Sequence, residues 1–218
     1  MINAKHFYLI FGGIALLVIL LFANAWRHSA AISIKPTNIP LIADELTDIP
    51  TTITDPVYGN PGAPFTLVAV VDLNNQTSRQ ALKEVMDFVQ SDPTQSRLFL
   101  KDHPLTSLFG ADPNTVHLFA LCAHNQKKYW PFIEQLTNMN GKITMESLNL
   151  AATAAKLNIN SLNTCVSSPA TITTLSTNLA WSDSLEKSNS FVLYANNRRI
   201  NLDKDVKLTE LLQTITAK

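Results

Sequence analysis

The sequence lacks the motifs of the common catalytic and cofactor-binding sites. It contains two cysteines but no Cys-x-x-Cys pair. It also has no His-Glu-x-x-His motif, no Gly-rich phosphate loop and no Ser/His/Asp arrangement. Basic and acidic residues number 17 each, and no run of Lys or Arg is longer than two, which argues against nucleic-acid binding. We therefore expect no metal ion or other cofactor, no nucleic acid and no small-molecule substrate.

A long apolar run lies near the amino terminus, at residues 7–25. As a helix rising about 1.5 Å per residue, it would nearly span the roughly 30 Å of a bilayer core. The alternative is a cleaved signal peptide, because Ala23-Asn24-Ala25 has the small-residue pattern of a cleavage site. The run is longer than the apolar region of a signal peptide, which favours an uncleaved anchor with residues 1–6 in the cytoplasm.

Residues 26–54 are rich in proline and threonine. They are predicted to form an extended tether between the anchor and a folded domain at residues 55–218. Within the tether, the apolar segment at residues 39–42 has two interpretations. It can dock onto a partner, or it can pack onto the domain of its own chain, and the sequence leaves both open.

The folded domain begins with a strand that leads directly into a helix. The apolar run Phe65–Val71 predicts a buried strand, and apolar residues at helical spacing predict a helix at residues 78–90. A second strand at residues 97–101 completes a β-α-β unit with parallel strands. The turn at residues 72–78 then lies at the amino end of the helix, where free backbone N–H groups and the helix dipole favour negative charge.

The rest of the domain is predicted to be mostly helical. Apolar periodicity, capping residues and prolines at helix starts predict helical segments that begin at residues 112, 130, 145, 161 and 168. A β-hairpin with a tight turn at Asn196 and Asn197 follows, and the chain closes with a helix at residues 206–216.

In this order, the segments resemble the DsbA-like branch of the thioredoxin superfamily from about residue 55 to about residue 214. The motifs that carry the resemblance are DPVYGNPGAP (residues 55–64), RLFLKDHPL (97–105), ALCA (120–123) and QKKYW (126–130). The resemblance implies a thioredoxin-like α/β fold, in which helices flank a central mixed sheet. It also implies a helical subdomain inserted at about residues 112–187.

The family keeps its Cys-x-x-Cys pair at the turn before the first helix, where this sequence carries Asn75, Gln76, Thr77 and Ser78. Amides and hydroxyls cannot form a mixed disulfide or carry two electrons, so dithiol exchange is excluded at this site. The resemblance also places Phe191 where the family has a cis-proline, and we expect a trans peptide bond there. The sequence thus predicts a degenerate member of the family, a pseudoenzyme without catalytic residues.

Two further positions near the motif bear on this prediction. Asp72 occupies a site beside the missing cysteines where the family often has an acidic residue, and we expect it to cap the turn or to accept backbone N–H groups. The family's buried acidic residue falls near Ala69, which is apolar here. Its loss agrees with the loss of thiol chemistry, because a buried carboxylate without a redox partner carries only a desolvation penalty.

The two cysteines, Cys122 and Cys165, lie in the predicted helical insertion. Some DsbA-like proteins have an additional, structural disulfide between these regions, so the resemblance implies a Cys122–Cys165 bond and an oxidising compartment. Two buried free thiols are the alternative. A redox role for the pair is a third interpretation, although neither cysteine begins a helix, where a thiolate would be stabilised.

His117 and His124 share a helix face near Cys122, so a metal site can be drawn there. Zinc sites have closer ligand pairs and a fourth ligand, and the sequence shows neither. We therefore expect both histidines to be surface or helix-capping residues.

Two functional hypotheses follow. The first is a catalytically inactive domain on the periplasmic side of the bacterial inner membrane, held by a single span at residues 7–25. It would be a structural or interaction subunit of an envelope complex for secretion, respiration or biogenesis, with the bilayer and membrane-complex subunits as partners. The alternative is a divergent thiol–disulfide oxidoreductase that uses Cys122 and Cys165, or a chaperone in periplasmic protein folding.

Overall fold

The computed structural model of the protein describes residues 42–51, 55–105, 112–185, 188–202 and 208–216. These residues all lie in the second of the two compact units into which the chain divides, Pro40–Lys218. The predicted anchor, the residues before it and most of the predicted tether lie outside the described residues. Among the helices that are described, none has the length and apolar character needed to cross a membrane.

The described part of the unit alternates between sheet strands and helices, with most of the helices in one continuous group. The strands are β1 (Ile42–Leu46), β2 (Val57–Gly59), β3 (Phe65–Val71), β4 (Ser96–Asp102), β5 (Phe191–Ala195) and β6 (Arg198–Ile200). The helices are α1 (Gln76–Ser91), α2 (Asn114–Asn125), α3 (Tyr129–Thr137), α4 (Met145–Ala154), α5 (Ile159–Val166), α6 (Pro169–Leu185) and α7 (Leu208–Thr216). Helices α2 to α6 lie between β4 and β5, where the helical insertion is predicted.

The strands form a single mixed sheet in the order β1-β6-β5-β3-β4-β2. β3 and β4 are parallel and are connected through α1, as the predicted β-α-β unit requires. The other neighbouring strands are antiparallel. At the hairpin between β5 and β6, Asn196 and Asn197 have φ angles of 46° and 64°, the left-handed conformation that asparagine tolerates in tight hairpin turns.

The prediction of an unpacked tether is wrong for residues 42–46, which form β1. This strand pairs antiparallel with β6, with Ile42 opposite Ile200 and Leu46 opposite Arg198. β6 would otherwise present a row of unpaired N–H and C=O groups at the sheet edge, and β1 satisfies them. The sheet therefore includes residues before residue 55. Of the apolar segment at residues 39–42, only Ile42 lies within the described residues.

Both faces of the sheet are buried, which explains why β3 is apolar at almost every position. Leu67, Ala69 and Val71 point to the larger core cluster, which also holds the apolar side of α1 and residues of α2 to α5 and α7. Val68 and Val70 point to the opposite face, a smaller cluster that contains Trp181 and Leu185 of α6. Successive residues of a strand face opposite sides, so a strand covered on both sides has no polar alternation.

The topology brings the polar turn, the end of β4 and the start of β5 to one edge of the sheet. Parallel strands end at the same edge, so residues after Val71 and after Asp102 are neighbours, and the His103 N–H donates to the Val71 carbonyl at 3.0 Å. β5 runs antiparallel to β3, so Phe191, its first residue, lies opposite Val71 at this edge. The amino end of α1 also lies here.

Candidate functional site

Asn75 begins α1 as its N-cap residue. It has an extended backbone, and its side-chain Oδ1 accepts a hydrogen bond from the Ser78 N–H at 3.1 Å. One of the free N–H groups of the first helical turn is thereby satisfied. The first of the four positions at residues 75–78 thus carries a helix-capping side chain.

The other motif residues connect α1 to two neighbouring loops. Gln76 Oε1 accepts a hydrogen bond from the Gly141 N–H at 2.8 Å, which joins the helix to the loop before α4. Ser78 Oγ donates to the Ser190 carbonyl at 2.9 Å, which joins the helix to the segment before β5. Thr77 is the exposed residue of the four. The motif positions thus hold loops together through hydrogen bonds and contain no nucleophilic sulfur.

Arg79 extends this connection into the interior. Its side chain is fully buried, and Nη1 donates to the carbonyl oxygens of Leu73 at 2.9 Å and Asn74 at 2.8 Å. Nη2 donates to the carbonyls of Gly141 at 2.6 Å and Met139 at 3.4 Å. Burial lowers the pKa of Arg79 from its ordinary value, and the nearby carboxylate of the turn opposes this shift. One guanidinium therefore holds the turn before α1 and the loop before α4 in a fixed relation.

Arg79 is not among the predicted site residues, although it lies on the apolar face that the helical periodicity of α1 defines. Arg79 precedes Leu82 by three residues and Met86 by seven, so it lies on the buried face of α1. A basic residue on an apolar helix face indicates a buried cation that needs acceptors. The carbonyls of two loops are those acceptors.

Asp72 organises the turn itself, as predicted. Its Oδ1 accepts the Asn74 N–H at 2.9 Å, and the Asn74 side-chain amide in turn donates to the Pro113 carbonyl at 2.6 Å, at the start of α2. Burial favours the protonated form of Asp72. The nearby His117 ring and the hydrogen bonds from Asn74 outweigh this effect and hold the pKa of Asp72 below its ordinary value.

His117 is neither a surface nor a capping residue, so that prediction is wrong. Its ring is fully buried, with Nδ1 2.9 Å from Asp102 Oδ1 and Nε2 3.3 Å from the Leu73 nitrogen. Asp72 Oδ1 lies 3.8 Å from Nε2. Burial lowers the pKa of His117, but the two carboxylates raise it more, and the net pKa is above the ordinary value. The sheet topology brings both aspartates to this histidine, which a local pattern in the sequence does not show.

Phe191 and Ala69 are the two other positions near the turn that the sequence singles out. The Ser190–Phe191 peptide bond is trans, as are all peptide bonds in the described residues. Phe191 is half-buried and packs against the larger core cluster, in which Ala69 is fully buried. Ser190 presents its carbonyl inward, where it accepts from the Asp72 N–H at 2.8 Å and from Ser78 Oγ.

The cysteines lie in the helical insertion and not at the amino end of α1. Cys122 of α2 and Cys165 of α5 form a disulfide with a Cα–Cα distance of 5.8 Å, the pairing that the resemblance implies. Cys122 is fully buried, and Cys165 is half-buried beside an open surface depression. Across the described ranges, no cluster of three or more His, Cys, Asp or Glu side chains is placed to hold a metal ion, and His124 instead contacts the edge of the Tyr129 ring.

The sheet order, the β3-α1-β4 unit and the helices inserted before β5 define a thioredoxin-like fold with a helical insertion. It is the fold of DsbA-like proteins. Similar solved structures include a thioredoxin-like oxidoreductase from Silicibacter pomeroyi DSS-3, with 23% identity, a TM-score of 0.62, and coverage of 77% of this chain and 95% of that one.

Two more structures show the same fold. A periplasmic thioredoxin-like protein from Salmonella enterica serovar Typhimurium matches with 19% identity and a TM-score of 0.60, over 76% of this chain and 91% of that one. DsbA of Chlamydia trachomatis matches with 16% identity and a TM-score of 0.60, over 79% and 96%. No protein-family model and no curated protein matches the sequence.

Proposed function

We propose that this chain is a non-catalytic DsbA-like domain that works by binding other proteins, as a structural or interaction subunit of an envelope complex. The observation that carries the proposal is that residues 75–78, at the amino end of α1, include no cysteine. The side chains of Asn75, Gln76 and Ser78 each form a hydrogen bond to another residue of the domain. A thiol–disulfide oxidoreductase needs a reactive sulfur at this position, and these residues supply none.

The geometry of the turn before α1 supports a role of this fold in binding. Arg79 and Asp72 hold the turn before α1 through buried hydrogen bonds, although no thiol there needs to be positioned. Buried hydrogen bonds of this kind restrict the turn to one arrangement, although the Nε atom of Arg79 is buried with no hydrogen-bond partner among the described residues. A rigid turn with the exposed Thr77 at its end suits a protein interface, which has a lower entropic cost of binding when it is preformed.

The proposed location is the periplasmic side of a bacterial inner membrane. The Cys122–Cys165 disulfide supports an oxidising compartment, because such bonds are rare in the cytosol. The similar Salmonella protein is described as periplasmic. The apolar run at residues 7–25 supports an anchor, which would confine the domain to the membrane surface.

The experiment is purification of the full chain, with a carboxy-terminal tag, from native membranes in mild detergent. We expect a complex of fixed stoichiometry, and we expect Thr77→Arg to release the partner. The matched control is Thr94→Arg. Thr94 is an exposed threonine beyond the carboxy end of α1, whereas Thr77 lies in its first turn, and the helix is about 24 Å long at 1.5 Å per residue. A chain that purifies alone, or a partner that both variants retain, would contradict a binding site at the turn.

The structural neighbours favour a second function, thiol–disulfide exchange through Cys122 and Cys165. The Silicibacter protein is described as an oxidoreductase, and a disulfide is present in this chain too. The half-buried Cys165 would be the sulfur attacked by a substrate thiolate, which would form a mixed disulfide and release the Cys122 thiolate.

A redox titration of the full chain separates the two functions. A structural disulfide has a potential below about −300 mV, whereas catalytic pairs lie between about −270 and −120 mV. The binding function predicts the lower range. A potential in the catalytic range, together with reduction of Cys165 by a glutaredoxin-type dithiol, would favour the oxidoreductase and overturn the non-catalytic proposal.

A further inference from the structure

His117 joins the turn before α1 to the end of β4 through hydrogen bonds on both ring nitrogens. The Leu73 N–H is a donor, so the Nε2 atom 3.3 Å away must be the acceptor. The proton of the neutral ring therefore sits on Nδ1 and is donated to Asp102 Oδ1 at 2.9 Å. The structure thus contains the neutral arrangement of the network.

A second proton on His117 conflicts with this arrangement. The new Nε2–H would face the Leu73 N–H, and two donors cannot share a hydrogen bond. The nearest carboxylate oxygen is Asp72 Oδ1, at 3.8 Å from Nε2. A charge-assisted N–H···O bond has a length of about 2.7–2.9 Å, so its formation requires the ring and the turn to move about 1 Å closer.

Such a movement would change the whole turn, because Asp72, Leu73 and Asn74 each take part in a further hydrogen bond within the site. Asp72 Oδ1 also accepts the Asn74 N–H at 2.9 Å, and the Leu73 and Asn74 carbonyls accept from Arg79. When the Leu73 N–H loses its acceptor, this buried donor must find another partner or reach water. The first residues of α1 come directly after this turn in the sequence, so a movement of the turn would also affect them.

Burial and the neighbouring carboxylates act on the two protonation states of His117 in opposite directions. The positive ring form would lie between two buried carboxylates, whereas burial favours the neutral form. Asn178 of α6 donates to Asp102 Oδ2 at 3.1 Å, which leaves Asp102 bonded in both states. The other charged or titratable groups around this cluster, on the elements packed against it, are Arg79, His103, Tyr129 and Asp183.

We propose that His117 is a pH-sensitive switch for the turn at residues 72–75. When the ring is neutral it accepts the Leu73 N–H, and when it is protonated it releases Leu73 and draws in Asp72. Acidification would therefore rearrange the amino end of α1 without unfolding the domain. The proposal does not depend on the binding function, because its readout is a single backbone amide.

The sequence allows this amide to be observed alone. Asp72-Leu73 is the only Asp-Leu pair in the chain. In the full chain in detergent, ¹³C-carbonyl labelling of aspartate with ¹⁵N labelling of leucine gives one filtered amide signal, that of Leu73. Histidine rings labelled with ¹⁵N report protonation, and His117→Gln identifies the His117 ring among the five histidines.

We expect the His117 ring and the Leu73 amide to titrate with the same midpoint, above the ordinary histidine pKa of 6.5. His117→Gln should abolish the Leu73 titration, and Asp72→Asn should shift the His117 midpoint to lower pH. The matched control is His124→Gln, on the same helix, which should leave both titrations unchanged. If His117→Gln does not fold, the wild-type midpoints and the Asp72→Asn shift still test whether the Leu73 amide titrates with His117. A Leu73 signal that is constant with pH, or one that moves with a midpoint different from that of His117, would overturn the proposal.

Discussion

Arg79 is the residue on which the turn before α1 depends most. Its guanidinium donates to four carbonyls from two loops and is fully buried. A hydrogen bond to a charged group contributes about 1.5–3 kcal/mol, and a buried acceptor left without a partner has a further desolvation penalty. The side chain therefore acts as an internal clamp and not as a surface cation.

Replacement of Arg79 by Met keeps most of the apolar length and removes the donors. We expect the free energy of unfolding to fall by about 3 kcal/mol or more, because several carbonyls lose their partner in the interior. Urea denaturation followed by circular dichroism measures the change. Lys83→Met on the same helix is the control. Lys83 is exposed and forms an i,i+4 pair with Asp87, a type of pair that contributes about 0.3–0.5 kcal/mol. Equal losses in both variants would contradict the clamp.

His117 makes the stability of the domain dependent on pH. Its pKa in the folded protein is above the ordinary value of 6.5, so the folded state binds this proton more tightly than the unfolded chain does. The resulting stabilisation is fully present below the unfolded pKa and is lost as the pH rises through the folded pKa. The pKa of Asp72 is lowered, so its contribution is present above the unfolded pKa of aspartate and is lost in stronger acid.

We therefore expect the wild-type chain to lose stability relative to His117→Gln as the pH rises above about 6.5, the pKa of an unperturbed histidine, and through the raised pKa of the folded state. Urea unfolding midpoints at several pH values measure the difference. Two parallel curves for the wild type and the variant would show that His117 does not titrate differently on folding.

At the scale of the element, the side chains of residues 75–78 determine where α1 begins and which loops it contacts. The helix begins two residues earlier than the periodicity of its apolar residues predicts, at Gln76, because Asn75 caps it and Gln76 and Thr77 form its first turn. The apolar side of α1 was predictable from Leu82, Val85, Met86 and Val89, all of which are buried. The hydrogen-bond partners of its amino end were not, because Ser190 and Gly141 are distant in sequence.

Asn75→Ala should destabilise the domain by about 1 kcal/mol, because the Ser78 N–H loses its acceptor. Asn75→Asp should retain the wild-type stability or exceed it, since it keeps the acceptor and adds a negative charge at a helix amino end. Thermal unfolding of the three proteins measures both effects. If alanine were as stable as asparagine, Asn75 would not be the cap that the geometry indicates.

At the scale of the whole molecule, features set by local pattern were predictable and features set by distant contacts were not. The β-α-β unit, the insertion and the Asn196-Asn197 turn follow from periodicity and turn chemistry. The pairing of β1 with β6 and the contacts of His117 with Asp72 and Asp102 arise only when the sheet assembles. The polar network of the site also depends on distant contacts. For this reason Arg79 was not predicted as a site residue, and His117 was predicted at the surface or at a helix cap although it is buried.

The described residues have a thioredoxin-like fold, and the amino end of α1 carries hydrogen-bonding side chains and no cysteine. The two cysteine sulfurs lie instead in α2 and α5, where they connect two helices of the insertion. The proposed binding function requires that neither the amino end of α1 nor the Cys122–Cys165 disulfide carries out redox chemistry.

The most direct measurement of this claim is the rate at which the purified full chain accelerates the reduction of insulin by dithiothreitol. The account predicts that the wild-type chain matches the uncatalysed rate. The Asn75→Cys/Ser78→Cys variant should gain activity, because the amino end of α1 stabilises a thiolate. Acceleration by the wild-type chain that disappears in Cys122→Ser/Cys165→Ser would contradict the account and establish the insertion disulfide as a redox centre.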